Sequence, residues 1–190
     1  MMLEIDPVGL VRNRKGTAAE GSPLASYVND RPYVASSFMS VALAKVFGTA
    51  MAGRSKDRPD LVDQALPLEV SIPVLPCRGG EPILRRLFEA LGYEVHATPI
   101  ALDERFTAWG TSRYVTATLR TRARVADVLA HLYVLLPVLD DDKHYWVAED
   151  EVEKLMARGG TWLGVHPERD LIVRRYLRHQ KRLTTAAFTR

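Results

Sequence analysis

Leu68-Glu69-Val70-Ser71-Ile72, then Cys77-Arg78-Gly79-Gly80, then Glu81 to Leu91, then Gly92-Tyr93-Glu94-Val95-His96-Ala97: this stretch decides the fold class. Leu68, Val70 and Ile72 alternate with Glu69 and Ser71, the period-2 pattern of a half-exposed strand. The Cys77–Gly80 turn leads into a helix from Glu81, with Pro82 tolerated in its first turn, where its missing N–H is no loss. Gly92 ends that helix, and Tyr93, Val95 and Ala97 begin a second strand.

Working outward, Arg113 to Arg122 alternates again, with Tyr114, Thr116 and Thr118 set against Val115, Ala117 and Leu119. Val125 to Val138 is apolar enough for a buried helix. A short helix is expected from Glu149 to Arg158, closed by Gly159-Gly160, and a basic helix from Glu168 onward. Upstream, Ser36 or Ser37 caps a helix that Gly53 stops. Its Phe38, Val41, Leu43, Val46, Phe47, Ala50 and Met51 predict a mostly buried core helix without polar positions for a ligand. Leu3-Glu4-Ile5 alternates like a strand, and Gly16, Gly21 and Pro23 make Arg12 to Pro23 a loop. Strand, helix, strand, strand, helix predicts an α+β fold: a mixed sheet with helices packed on it, followed by a helical C-terminal part. The strand at one terminus and the helix still running at Ala186-Ala187-Phe188 predict a single domain, 1–190, that is a piece of a longer protein.

Composition narrows the function classes. The chain has 190 residues, 47% hydrophobic and 26% charged, enough for one buried core. No apolar run approaches the roughly 18 residues a membrane helix needs, and no secretory leader is apparent, so a cytoplasmic location is expected. One cysteine, Cys77, excludes an internal disulfide and a multi-cysteine metal site. The net charge is only +3, but Arg169, Arg174, Arg175, Arg178, Lys181, Arg182 and Arg190 cluster late. Such a cluster attracts phosphate or an acidic protein surface, or is simply a solvated helix face.

Each candidate for chemistry has a structural alternative. Cys77-Arg78-Gly79-Gly80 precedes a helix N-terminus that can hold an anion, yet it lacks the lysine and hydroxyl of a P-loop. Cys77 has no histidine nearby in sequence to activate it as a nucleophile. Asp140-Asp141-Asp142 offers hard oxygen ligands for magnesium, but consecutive residues do not converge on one ion unless the chain folds back. Beside it, Asp141, Tyr145 and Trp146 match the composition of an interface anchor. Tyr27, Arg31 and Tyr33 form a second aromatic cluster, fit to stack bases, to fill a partner's pocket or to make a local turn. The five histidines form no HExxH and no i, i+4 pair, and His96 and His131 are expected as satisfied core imidazoles. With no catalytic set assembled, the chain reads as a binding module.

Leu3-Glu-Ile-Asp-Pro-Val-Gly-Leu-Val-Arg12, Tyr27-Val-Asn-Asp-Arg-Pro-Tyr33, Pro76-Cys-Arg-Gly-Gly80 and Leu132-Tyr-Val-Leu-Leu-Pro-Val-Leu-Asp140 follow one another in an order that resembles a known family. Lys143-His-Tyr-Trp146, His166-Pro-Glu-Arg169 and Arg175-Tyr-Leu177 continue the match along nearly the whole chain. The family is the bacterial 3'-terminal RNA ribose 2'-O-methyltransferase of RNA repair, in its N-terminal region. The resemblance implies a non-catalytic, ligase-activating domain. It would dock on the ligase part of a bacterial polynucleotide kinase-phosphatase-ligase and promote that ligase's adenylylation. Methyl transfer, with S-adenosylmethionine and a divalent metal, would belong to the C-terminal region, whose motifs this sequence does not reach; no cofactor or metal is expected in this chain. Tyr27, Arg31, Tyr33, Asp141, Tyr145 and Trp146 are the candidate partner contacts. Arg174, Arg175, Arg178, Lys181 and Arg182 are candidates for RNA or an acidic surface, and the alternative function is an RNA-binding module presenting cleaved ends.

Overall fold

The computed structural model describes residues 1–2, 33–141 and 150–177. Three strands, β1 (Leu66–Pro76), β2 (Glu94–Ala101) and β3 (Thr111–Ala123), form a sheet in the order β1-β3-β2. The expected α+β class holds, and pairing is antiparallel throughout these strands rather than mixed. The period-2 pattern sets the faces: Val95, Val115, Ala117 and Leu119 are buried, while Glu69, Ser71, Glu94, His96, Thr116 and Arg120 face solvent. On that outer face Arg120 pairs with Glu69 at 2.6 Å, an exposed cross-strand contact.

Five α-helices occur among the described residues. α1 (Tyr33–Met51) and α2 (Gly80–Glu89) are followed by α3 (Val125–Asp140), α4 (Asp150–Val165) and α5 (Arg169–Tyr176). α3 is apolar nearly all round, so it is the core element: eleven of its residues are buried, from Val128 to Asp140. α2 presents Leu84, Leu87 and Phe88 inward, and α1 lies along α3. Each fully buried Leu or Phe contributes roughly 1.5–3 kcal/mol over leaving it in water.

A β-bulge shapes the end of β1. Pro73 and Val74 stand between the pairs Ile72–Ala117 and Leu75–Val115, opposite Thr116 alone. The extra residue turns Leu75 into the core and leaves Val74 exposed, and the Thr116 hydroxyl donates to the Pro73 carbonyl at 2.8 Å.

The helix expected to close at Gly159-Gly160 does break there: Gly160 takes a non-helical conformation (φ 46, ψ −142), and a second helical segment follows to Val165, the two together making up α4. Gly159 is also a packing position: a Cβ there would lie 2.7 Å from Leu163 Cδ2, and Leu163 is buried. Other expectations need correction. α1 is not buried on its whole apolar face, since Val41 and Val46 are about 60% exposed while Ser36 and Ser40 are buried. The serines turn inward because they bond to α3. His96 is no core imidazole: the register of β2 sends Val95 inward and His96 outward, where it bonds Glu94 at 2.9 Å. The strand at Leu3–Ile5, the loop Arg12–Pro23 and the helix beyond Leu177 lie outside the described residues.

Candidate partner-binding site

The C-terminal end of α3 is a buried polar node that ties together α1, α5 and the turn before α2. Ser36 of α1 donates to Asp140 Oδ2 at 2.5 Å, and Ser40 Oγ donates to the Tyr133 carbonyl at 3.1 Å. Asp141 ends the helix in the left-handed conformation (φ 48), which short polar side chains tolerate. Arg175 of α5 reaches across: its Nη1 donates to the carbonyls of Arg78 at 3.0 Å and Val138 at 3.2 Å, and its Nε lies 3.5 Å from Asp141 Oδ2. A guanidinium is well placed there, because the last turn of a helix carries unpaired carbonyls and a partial negative charge. The Arg78 N–H donates to the Leu139 carbonyl at 2.8 Å, so the turn before α2 is fastened to the same helix end.

This node is where the motif-bearing segments join the described fold. Tyr33 starts α1 three residues before Ser36; residues 142–149 follow Asp141; residues 178–190 follow Leu177, two positions after Arg175. Of the expected contacts, Tyr27, Arg31, Tyr145, Trp146, Arg178, Lys181 and Arg182 lie outside the described residues. Tyr33 stands at the first turn of α1. Asp141 is buried in the node, Arg174 is exposed on α5, and Arg175 is turned inward onto the chain's own carbonyls. The structure therefore brings Asp141 and Arg175 together and separates Arg174 from them. Beside the node, Ser36, Met39, Ile72, Val74, Leu75 and Leu136 line an apolar recess of about 390 Å³.

Among the described residues, Cys77, His131 and His166 are engaged in structure. Cys77 is buried, its Sγ lies 3.1 Å from the Gly80 carbonyl, and burial pushes its thiol up to about 11, far from a ready thiolate. Gly79 adopts φ 103, and a Cβ there would come within 2.6 Å of Ile83 Cγ1, so this glycine is required by conformation and close approach. His131 is the satisfied core imidazole expected of it: its Nδ1 shares a 2.8 Å hydrogen bond with the Tyr93 hydroxyl, and its ring packs edge-on to Trp162. Burial lowers its pKa to about 4. His166 Nε2 lies 3.0 Å from the Leu87 carbonyl, and its Nδ1 accepts the Glu168 N–H at 2.9 Å. Among the described residues no three His, Cys, Asp or Glu are grouped to hold a metal; Asp142 lies outside them.

One feature escaped the sequence. At the turn between β2 and β3, Phe106 and Trp109 stack face to face, 4.7 Å between centroids and 16° between planes, and both stand in solvent. The signal was present as Asp103-Glu-Arg-Phe106-Thr-Ala-Trp109-Gly110, two aromatics inside a polar turn between alternating strands.

No helix among the described residues is long and apolar enough to cross a membrane. No curated protein matches the chain. A family model described as the RNA repair, ligase-Pnkp-associating, region of Hen1 matches residues 1–190, and the chain belongs to that family.

Proposed function

We propose that this member of the ligase-Pnkp-associating family binds the ligase part of a bacterial polynucleotide kinase-phosphatase-ligase and stimulates its adenylylation, without catalysing a reaction itself. One observation carries this: the whole chain, residues 1–190, falls within a family described by its association with that ligase in RNA repair. The burial of Cys77 and His131, both bonded to the chain's own groups, fits a module that works by contact. Methyl transfer, with its S-adenosylmethionine and divalent metal, belongs in this proposal to the other region of the full protein.

A non-catalytic partner activates an enzyme only by binding one conformation more tightly than another. Each tenfold preference for the adenylylation-competent form shifts its equilibrium by about 1.4 kcal/mol. The test mixes the cognate ligase with ATP and follows covalent AMP-ligase over time, with and without the 190-residue chain. Added chain is expected to raise the yield in proportion to occupancy. An unchanged yield at saturating chain rejects the stimulation, and no complex at all rejects the binding.

A further inference from the structure

We infer that the β2–β3 hairpin tip is a preorganised anchor, with Phe106 and Trp109 entering an apolar pocket on the ligase polypeptide; the inference rests on the ligase-binding reading. Phe106 is 53% and Trp109 60% exposed, and Leu102 at the base of the turn is exposed as well. Single exposed apolar residues are ordinary, but a Phe-Trp pair held together in water is a large apolar surface that no described residue buries.

The turn is built to hold that pair out. Asp103 Oδ1 accepts the N–H groups of Arg105 at 2.7 Å and Phe106 at 3.3 Å. The Trp109 N–H donates to the Phe106 carbonyl at 2.9 Å, Gly110 N–H to the Thr107 carbonyl at 3.1 Å, and Leu102 N–H to the Gly110 carbonyl at 3.0 Å. Thr107–Trp109 forms a 3-10 turn, and Gly110 takes φ 81 to return the chain to β3. Five hydrogen bonds thus order a short loop whose apolar side chains fill no space in this chain's own core. Ordering such groups before contact removes much of the entropy that binding otherwise loses.

Charge and ring geometry favour a protein over RNA as the occupant. The turn carries Asp103 and Glu104 against Arg105 alone, a poor match to a phosphate backbone, whose binding depends on lysine and arginine. Each ring already gives one face to the other, leaving less of each for stacking bases. Tryptophan and phenylalanine at the centre of a protein interface are, by contrast, the usual anchors, seated in pockets of the partner.

The test titrates the 190-residue chain and its Phe106→Ala/Trp109→Ala variant into the cognate ligase by calorimetry. The variant is expected to weaken binding at least about tenfold, the scale of a lost hot spot, with its far-ultraviolet spectrum and melting curve unchanged. A second readout needs no truncation: ligase should shift Trp fluorescence to the blue in the wild type, and Trp109→Phe should remove that component. If the wild type binds the ligase and the double variant binds as tightly, the anchor is rejected while the ligase reading stands. If the wild type does not bind at all, the ligase reading falls and the anchor with it. A variant that loses only cleaved-RNA binding, or only self-association measured by sedimentation, overturns the inference in favour of those occupants.

Discussion

The Ser36 hydroxyl donates a 2.5 Å hydrogen bond to Asp140 across 104 residues of chain, and both groups are buried. Removing the donor strips one bond from a buried carboxylate oxygen, a loss of about 1–3 kcal/mol. Ser36→Ala is therefore expected to lower the urea midpoint. Asp140→Asn should cost less in the Ser36→Ala background than in the wild type, because the two side chains share one interaction. Additive effects would show that the bond contributes nothing.

Arg175 joins three partners that no lysine reproduces: two carbonyls from Nη1 and Asp141 from Nε. Its side chain is 14% exposed and that of Asp141 11%, so deletion of the guanidinium leaves a carboxylate poorly solvated. Arg175→Ala should lose about 3 kcal/mol of unfolding free energy, and Arg175→Lys should recover only part of it. Full recovery by lysine would mean that charge alone matters there.

His131 makes stability depend on pH. Its folded pKa is lowered to about 4 by burial, with Asp127 opposing and His166 reinforcing the shift, against 6.5 for a free imidazole. A depressed histidine binds fewer protons folded than unfolded, so its contribution is present above pH 6.5 and lost as pH falls towards 4. Going from pH 7 to pH 5 should cost about 2 kcal/mol from this group alone. A His131→Gln variant should show a flatter profile over that window in denaturant melts; an unchanged slope would assign the dependence elsewhere.

At the turn before α2, Gly79→Ala meets two obstacles, a φ of 103 and a Cβ 2.6 Å from Ile83 Cγ1. A loss of about 1–3 kcal/mol is expected, read from thermal or urea unfolding. Gly79→Ala combined with Ile83→Ala should lose less than the sum of the two, since the close contact is gone while the backbone strain stays. Equality with the sum would leave backbone conformation as the entire cost.

The local patterns of this protein were legible because they need no partner to be specified. Alternation in Leu68–Ile72, Tyr93–Ala97 and Arg113–Arg122 becomes β1, β2 and β3, and the apolar run from Val125 becomes the core helix α3. Motif order along the chain carried the family, which the full-length match bears out. The expected aromatic contacts at Tyr27, Tyr145 and Trp146 lie outside the described residues, and of the late arginines Arg175 is engaged by the chain's own carbonyls, which no local pattern specifies.

Tertiary structure decided what depends on distant partners. Whether Ser36 faces water or Asp140 is settled by how α1 lies on α3, and whether Arg175 is free or spent on the Val138 carbonyl is settled by where α5 docks. The same holds for Gly159, kept small by its contact with Leu163, and for His96, sent outward by strand register. Periodicity reports which residues share a side of an element. Only packing determines what that side meets, and at Phe106 and Trp109 it leaves both rings more than half exposed.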